Sequence, residues 1–408
     1  MKFLLLSLIL ILNNFVFSAN IEPLEDPFES LDNLALFDFS VGSAYSGEDI
    51  QINLLTLNPG DEIYAQYGHT GLEVIDHGNK YVFDYGVFSF SDTFIFDFLF
   101  GEMFYVVQPS NGDYTYYNAT NENRTLFSLD LNIPQDKRGT VLDFLIYNST
   151  FDNRTYLYHH YLDNCATRVR DIYDATTLGY FSYYAKSINT GFTYRDYIHS
   201  YTDKKPVITW ALSFLQSGVI DHELNLYEAC FLPKVLNDAI ESYTNTEAEV
   251  VYKGRETFPL RDNLLLYSCL ASIILLAVLL LTRFKCLALY NTINFILYLT
   301  LGIFGSVLCF VMFFTHHNVT YFNENLLFVN PLNLIIAFAY LIAIFKKQTK
   351  VQYFLTSLLT LNLLALIIAK YIFQEVLIQN NWAIIVIISP IYLVSYYSAK
   401  YSSTRVRI

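Results

Sequence analysis

Two hydrophobic textures divide this chain. After Lys2, an apolar run from Phe3 to Leu12, broken by Ser7 alone and followed by the small residues Ser18 and Ala19, predicts a secretory signal peptide over residues 1–18 and a mature chain beginning near Ala19. The run is short for a bilayer, so an uncleaved anchor is the alternative. From residue 263 onward five apolar runs follow, at 263–282, 288–314, 326–345, 352–372 and 382–399, each near or above the ~20 residues that a helix needs to cross a hydrocarbon core. Arg283 and Lys285, then Lys346, Lys347 and Lys350, then Lys400, Arg405 and Arg407 all fall in links on one side, and the opposite links hold only Lys370 at an edge. The basic side is cytoplasmic by the positive-inside rule, which agrees with an exported N-terminal part and an odd number of spans.

Between these ends, residues 19–245 read as one exported domain with a helical extension, joined to the membrane part, 263–408, by a short linker at 246–262. Two runs rich in Val, Ile, Phe and Tyr, ending at Asp76 and starting at Asn79, flank His77-Gly78 and predict a hairpin. If Asp76 pairs with Asn79, Asp84 lies opposite Gly71 and His69 opposite Gly86. A side-chain period of two then puts His69 and Asp84 on one face as diagonal neighbours, near enough for a carboxylate to orient an imidazole. Glu73 is on the same strand face as His69 and is an alternative third member. Further on, Ala166, Val169, Ile172 and Tyr173 have helical spacing, with Asp163 or Asn164 before them as an N-cap. Cys165 therefore falls in the first turn, where unpaired N–H groups and the helix dipole favour a nucleophilic thiolate. Arg168, one turn on, faces the same way, either to steady the sulfur and meet a lipid phosphate or to pair with an acid such as Asp171. His159 and His160 precede the cysteine and either back the site or only pack.

The aromatic stretch Phe94 to Tyr105 is expected to be core, with an acyl groove or membrane-touching lid as the alternative. Arg124–Leu131 alternates like a strand, Pro134–Tyr147 has helical spacing, and 180–245 reads as a mostly helical support for the site. Charge is lopsided: residues 263–408 carry nine basic residues against two acids, leaving 16 against 36 elsewhere, a net −20. Such acidity argues against nucleic acid as a partner. Of the five cysteines, Cys269, Cys286 and Cys309 lie in or beside the apolar runs, which leaves Cys165 and Cys230, and a disulfide between these two is the structural alternative to a free thiol. No HExxH, paired CxxC or Gly-rich phosphate loop occurs, so neither a metal nor another cofactor is expected.

The motifs GHTGLEV, VFDYG and DNCATRVRD resemble those of the Lnb N-terminal periplasmic domain family and, more distantly, of circularly permuted NlpC-type papain-like proteins such as lecithin retinol acyltransferase. Thr193-Tyr194-Arg195, Trp210, Asp221, Glu228, Phe231-Leu232-Pro233 and Asn323 to Pro331 extend the resemblance through most of the chain. It implies an α+β, circularly permuted papain-like (NlpC-type) periplasmic domain with a helical extension, followed by a five-helix transmembrane domain. It also implies a lipoprotein N-acyltransferase of the bacterial inner (cytoplasmic) membrane. The partners would be a phospholipid acyl donor, a diacylated lipoprotein acceptor and the lipid bilayer. Cys165, His69 and Asp84 would then be catalytic, and Arg168, together with His316 and Asn325 from the outer loop Thr315–Asn325, would bind substrate. The runner-up is a membrane-tethered papain-like hydrolase acting on peptidoglycan peptides or lipid esters. Oligomeric state is not legible.

Overall fold

The strand Ile50–Leu57 buries seven of its eight residues, as a strand covered on both faces must. It lies near the middle of the sheet in a computed structural model that describes residues 34, 37–40, 43, 47–62, 64–88, 94–255, 262–345, 350–373 and 377–404. Taking β1 as Ile50–Leu57, the chain continues through β2 His69–Asp76, β3 Asn79–Val87, β4 Phe104–Asn111, β5 Leu126–Asp130, β6 Thr155–Leu157, β7 Asn189–Thr193, β8 Glu223–Asn225 and β9 Glu249–Tyr252. Seven of these form one sheet in the order β6-β4-β3-β2-β1-β5-β9, with every neighbouring pair antiparallel, and β7 pairs with β8 separately.

Alternation along β1 decides what covers each face. Leu54 joins Leu72, Val74 and Phe83 under helices Gln135–Asn148, Cys165–Thr176 and Pro233–Thr244, which supply Val141, Phe144, Val169, Ile172, Leu236 and Ile240 to the larger core. Leu55 and Leu57 point the other way, to Val82, Leu126 and Ala119, the last from helix Gly112–Asn121. The result is a mixed α/β domain. The expected signal peptide lies outside the described residues, as do Lys346, Lys347, Arg405 and Arg407.

One expectation is corrected here. The Phe94–Phe100 helix is not core: Phe96 and Phe98 are 63% and 59% exposed, and Phe104 is 60% exposed on the following strand. Only β4 positions facing the sheet's covered side, such as Val107, reach the core. By their packing, the described residues fall into two compact units that divide elsewhere than at 245. Over the described residues, Glu25–Tyr194 and Glu223–Leu260 form one unit, while Arg195–His222 belongs with Arg261–Ile408. The reason is local to that second unit. Phe214 of helix Pro206–Leu215 packs among its apolar residues, and the Phe214 carbonyl accepts from the Asn323 and Asn325 side chains. Within the same stretch, Arg195 forms a buried ion pair with Asp221 at 2.6 Å.

The second unit is helical. Leu264–Lys285, Leu287–Phe314, Phe354–Ile372 and Trp382–Lys400 are long and apolar enough to cross a membrane. The third expected run instead folds as a 3-10 turn, Glu324–Leu327, and a 14-residue helix, Leu332–Phe345. Asn330 and Asn333 bond backbone carbonyls of that loop and so hold Pro331 at the helix start. Fourteen residues rise only about 21 Å, less than a ~30 Å hydrocarbon core. Over residues 263–408 the five-helix expectation therefore meets four full-length candidates and, in the third place, the shorter helix Leu332–Phe345 among the described residues. Lys370 and Glu324 form an ion pair in which each side chain is only 3% exposed. Such a pair persists only if each charge has further partners. Here Lys370 also donates to the Gln379 carbonyl, and Glu324 accepts from the Gln379 N–H.

Candidate active site

The hairpin has the register its pattern dictates, with Asp76 opposite Asn79 and Gly71 opposite Asp84. His69 opens β2, and its Nε2 lies 2.9 Å from Asp84 Oδ1. Past Asp84 the pairing of β3 with β4 shifts register, and the Gly86 N–H donates to the same carboxylate oxygen at 2.7 Å. The imidazole occupies the space a side chain at 86 would need. A Cβ there would lie 2.4 Å from His69 Cε1 and 3.2 Å from Nδ1. Gly86→Ala is therefore expected to turn the ring away and lower turnover about 10²-fold, as small misplacements of a reacting group do, with the thermal unfolding midpoint little changed. Full activity in that variant would show that the ring's position is not needed.

Cys165 is the first residue of helix Cys165–Thr176, held by a complete capping box. Asn164 Oδ1 accepts from the Ala166 and Thr167 N–H groups, and its Nδ2 donates to the His160 and Phe231 carbonyls. Arg168 N–H donates to the Asn164 carbonyl. The Cys165 N–H is thus the helix-start donor left over. The sulfur is a hydrogen-bond partner of His69. Burial opposes protonation of His69, but Asp84 and the Cys165 sulfur outweigh it and hold the imidazole well above the ordinary histidine range. Burial likewise pushes the Asp84 carboxyl up, and the facing imidazole with the Gly86 N–H more than reverses this.

Cys165 and His69 open on a cavity of about 240 Å³ whose walls include Tyr67, Phe88, Tyr105, Tyr158, His160 and Arg124. Burial pushes the His160 imidazole down to about 3, so it is neutral near pH 7. Tyr158, whose phenol burial holds well above its usual range, keeps its proton and lies 3.3 Å from His160 Nδ1. His160 Nε2 has no hydrogen-bond partner among the described residues. His159 instead shapes the turn before the helix, its Nδ1 accepting from the Tyr161 and Leu162 N–H groups.

The remaining expected residues have other placements. Glu73 is buried and bonds Asn53 and Tyr116, each at 2.9 Å, so the carboxylate on His69 is that of Asp84. Arg168 is committed to Asp163 through two bonds of 2.5 and 2.6 Å and lies over the Tyr156 ring, not beside Asp171. Cys165 and Cys230 are both free thiols, which removes the disulfide alternative; burial pushes Cys230 up to about 12. In the helical unit, His316 is exposed, whereas Asn325 is fully buried and its amide bonds the Phe214 carbonyl and the Asn381 side chain. Asn325 thus has the surroundings of a wedge, not of a ligand contact. No cluster of metal-ligating side chains occurs among the described residues. Sequence reasoning missed Arg124 and Tyr158 as cavity residues; neither stands in a motif that marks it.

The family model described as the Lnb N-terminal periplasmic domain matches residues 40–183, and the one described as the Lnb transmembrane domain matches residues 265–404. No curated protein and no solved structure was found to match. With both domains present in order, the chain belongs to the Lnb family and is a membrane protein with a periplasmic N-terminal domain.

Proposed function

We propose that this Lnb-type membrane enzyme is a lipoprotein N-acyltransferase of the bacterial cytoplasmic membrane with Cys165 as nucleophile. The observation that carries the reading is the relay Cys165–His69–Asp84 on the wall of an aromatic cavity. A thiolate, an imidazolium and an orienting carboxylate are the parts that covalent acyl transfer needs. The order His, Asp, Cys along the chain is that of a permuted papain-like fold, and the helical unit fits a lipid-borne substrate better than a soluble one.

In the first half-reaction the Cys165 sulfur attacks an ester carbonyl carbon of a phospholipid. The oxyanion that forms is met by the Cys165 N–H, with the His160 Nε2–H as a second donor from the cavity wall. The carbon–oxygen ester bond breaks, His69 gives its proton to the departing glycerol oxygen, and lysophospholipid leaves an acyl-thioester behind. In the second, the α-amino group of a diacylglyceryl-cysteine attacks the thioester while His69 takes its proton. The carbon–sulfur bond breaks, and thiolate and imidazolium are restored. No metal or other cofactor enters either step. Nucleic acid has no part, and the shorter helix Leu332–Phe345 completes five crossings with both Arg283 and Lys400 on the cytoplasmic side.

Mass spectrometry of lipoprotein N-termini, in cells lacking any other N-acylating enzyme, tests the reading. Triacylated N-termini that appear only when this chain is expressed are the expected result. Diacylated N-termini in both conditions would overturn it.

A further inference from the structure

Arg124 combines an unused guanidinium donor with a place in the wall of the cavity. Its side chain is 7% exposed, yet it lines the cavity that holds Cys165 and His69. Nε donates to the Asn58 carbonyl at 2.7 Å and Nη1 to Glu122 at 2.9 Å. Nη2 has no hydrogen-bond partner among the described residues. A buried guanidinium donor without an acceptor is costly, because it has lost water and gained nothing in return. Two of its three nitrogens fix the group rigidly, and the third is left over. Arg124 is also the one permanently charged side chain among the described cavity residues. Around it the domain is strongly acidic, so general attraction of anions does not explain a cation at this place. Arg168, which carries the spacing expected of a phosphate ligand, is occupied by Asp163.

We propose that the unpartnered edge of Arg124 binds the phosphodiester of the acyl donor and so selects a phosphoglyceride over a neutral acyl ester. The inference rests on the acyl-transfer reading. In a phosphoglyceride the anion is one glycerol away from the reacting ester, so one cavity can hold both. The planar guanidinium fork suits phosphate oxygens and keeps its charge at every working pH. The acceptor, a diacylglyceryl-cysteine, has no phosphate, so the contact belongs to the first half-reaction alone.

The full chain in detergent is compared with Arg124→Gln, which keeps a neutral donor near the Asn58 carbonyl, and with Arg124→Lys. Acylation of Cys165 is followed with phosphatidylglycerol and with diacylglycerol of the same chains. Arg124→Gln is expected to slow labelling by phosphatidylglycerol about 10- to 100-fold, with diacylglycerol labelling within about twofold of the unaltered protein and Arg124→Lys between them. An equal loss with both donors would make Arg124 a structural residue, and no loss with phosphatidylglycerol would overturn the proposal outright. Binding to the Cys165→Ser protein separates this from the acyl-transfer reading, since it needs no turnover. Dihexanoylphosphatidylglycerol should bind at least about tenfold more weakly once Arg124→Gln is added, and dioctanoylglycerol should bind unchanged. If that dependence held while no donor ever labelled Cys165, the lipid site would stand and the transferase reading would fall. Inorganic phosphate bound as tightly as the lipid would overturn the assignment to a headgroup.

Discussion

Cys165→Ser is expected to lower acyl transfer on the order of 10³-fold or more while the protein stays folded and inserted. The substitution removes no contact on which the helix start depends, because the cap is made by Asn164 through Ala166 N–H, Thr167 N–H and two carbonyls. It removes only the sulfur beside His69. An alcohol holds its proton far more tightly than a thiol, and an imidazole backed by one carboxylate does not make up that difference at a site built for sulfur. The unaltered protein, given phospholipid and no acceptor, should accumulate an acyl group on Cys165 that hydroxylamine releases, with lysophospholipid appearing in equal amount. Ping-pong kinetics follow from two half-reactions that share one histidine. Serine at 165 with undiminished activity, or lysophospholipid formed only once acceptor is added and no adduct trapped, would mean direct transfer between substrates.

Asp84→Asn is the second large effect, and its signature is in the pH profile. Asp84 raises His69 in two ways, by its charge and by the 2.9 Å hydrogen bond to Nε2, against the opposing effect of burial. Removing the charge leaves an oxygen that still accepts from Nε2, so the ring keeps its place while its affinity for a proton falls. The first half-reaction needs a protonated His69 to hand a proton to the departing oxygen. Activity is therefore retained below the folded-state value of His69 and lost as pH rises through it. In the unaltered protein that alkaline limb is displaced upward from the ordinary histidine range. In Asp84→Asn it should move toward neutrality, with turnover at the optimum lower by about 10²- to 10⁴-fold. A profile whose alkaline limb did not move would show that Asp84 does not act through His69.

What could be read from the sequence is what local rules fix. A two-residue turn and a period of two set the hairpin register, and with it the pairing of His69 with Asp84, before any tertiary contact is considered. An Asn before an amphipathic run sets the helix start, and with it the place of Cys165. Partners chosen by packing were not legible. Arg168 chose Asp163, five residues back, over Asp171, because the turn before the helix folds Asp163 against the helix's first face. Arg195–His222 has helical pattern wherever it packs, and it is the packing of Phe214 among the helical unit's apolar residues that shows which unit claims it. Aromatic density at Phe94–Phe100 reads as core by composition, yet Phe96 and Phe98 face outward. Asn325 stands in a polar loop that looks like a binding loop, and its amide is used up on Phe214 and Asn381. Arg124 carries no motif at all; its place in the cavity follows only from the path of the chain into β5.

The most direct test of the central claim uses the purified full chain in vesicles of phospholipid with isotopically labelled acyl chains, together with a synthetic diacylglyceryl-cysteine lipopeptide. Mass spectrometry of the products should show one labelled acyl group on the lipopeptide α-amine and one lysophospholipid for each transfer. Labelled free fatty acid with an unmodified lipopeptide would contradict the account and make the protein a lipid hydrolase.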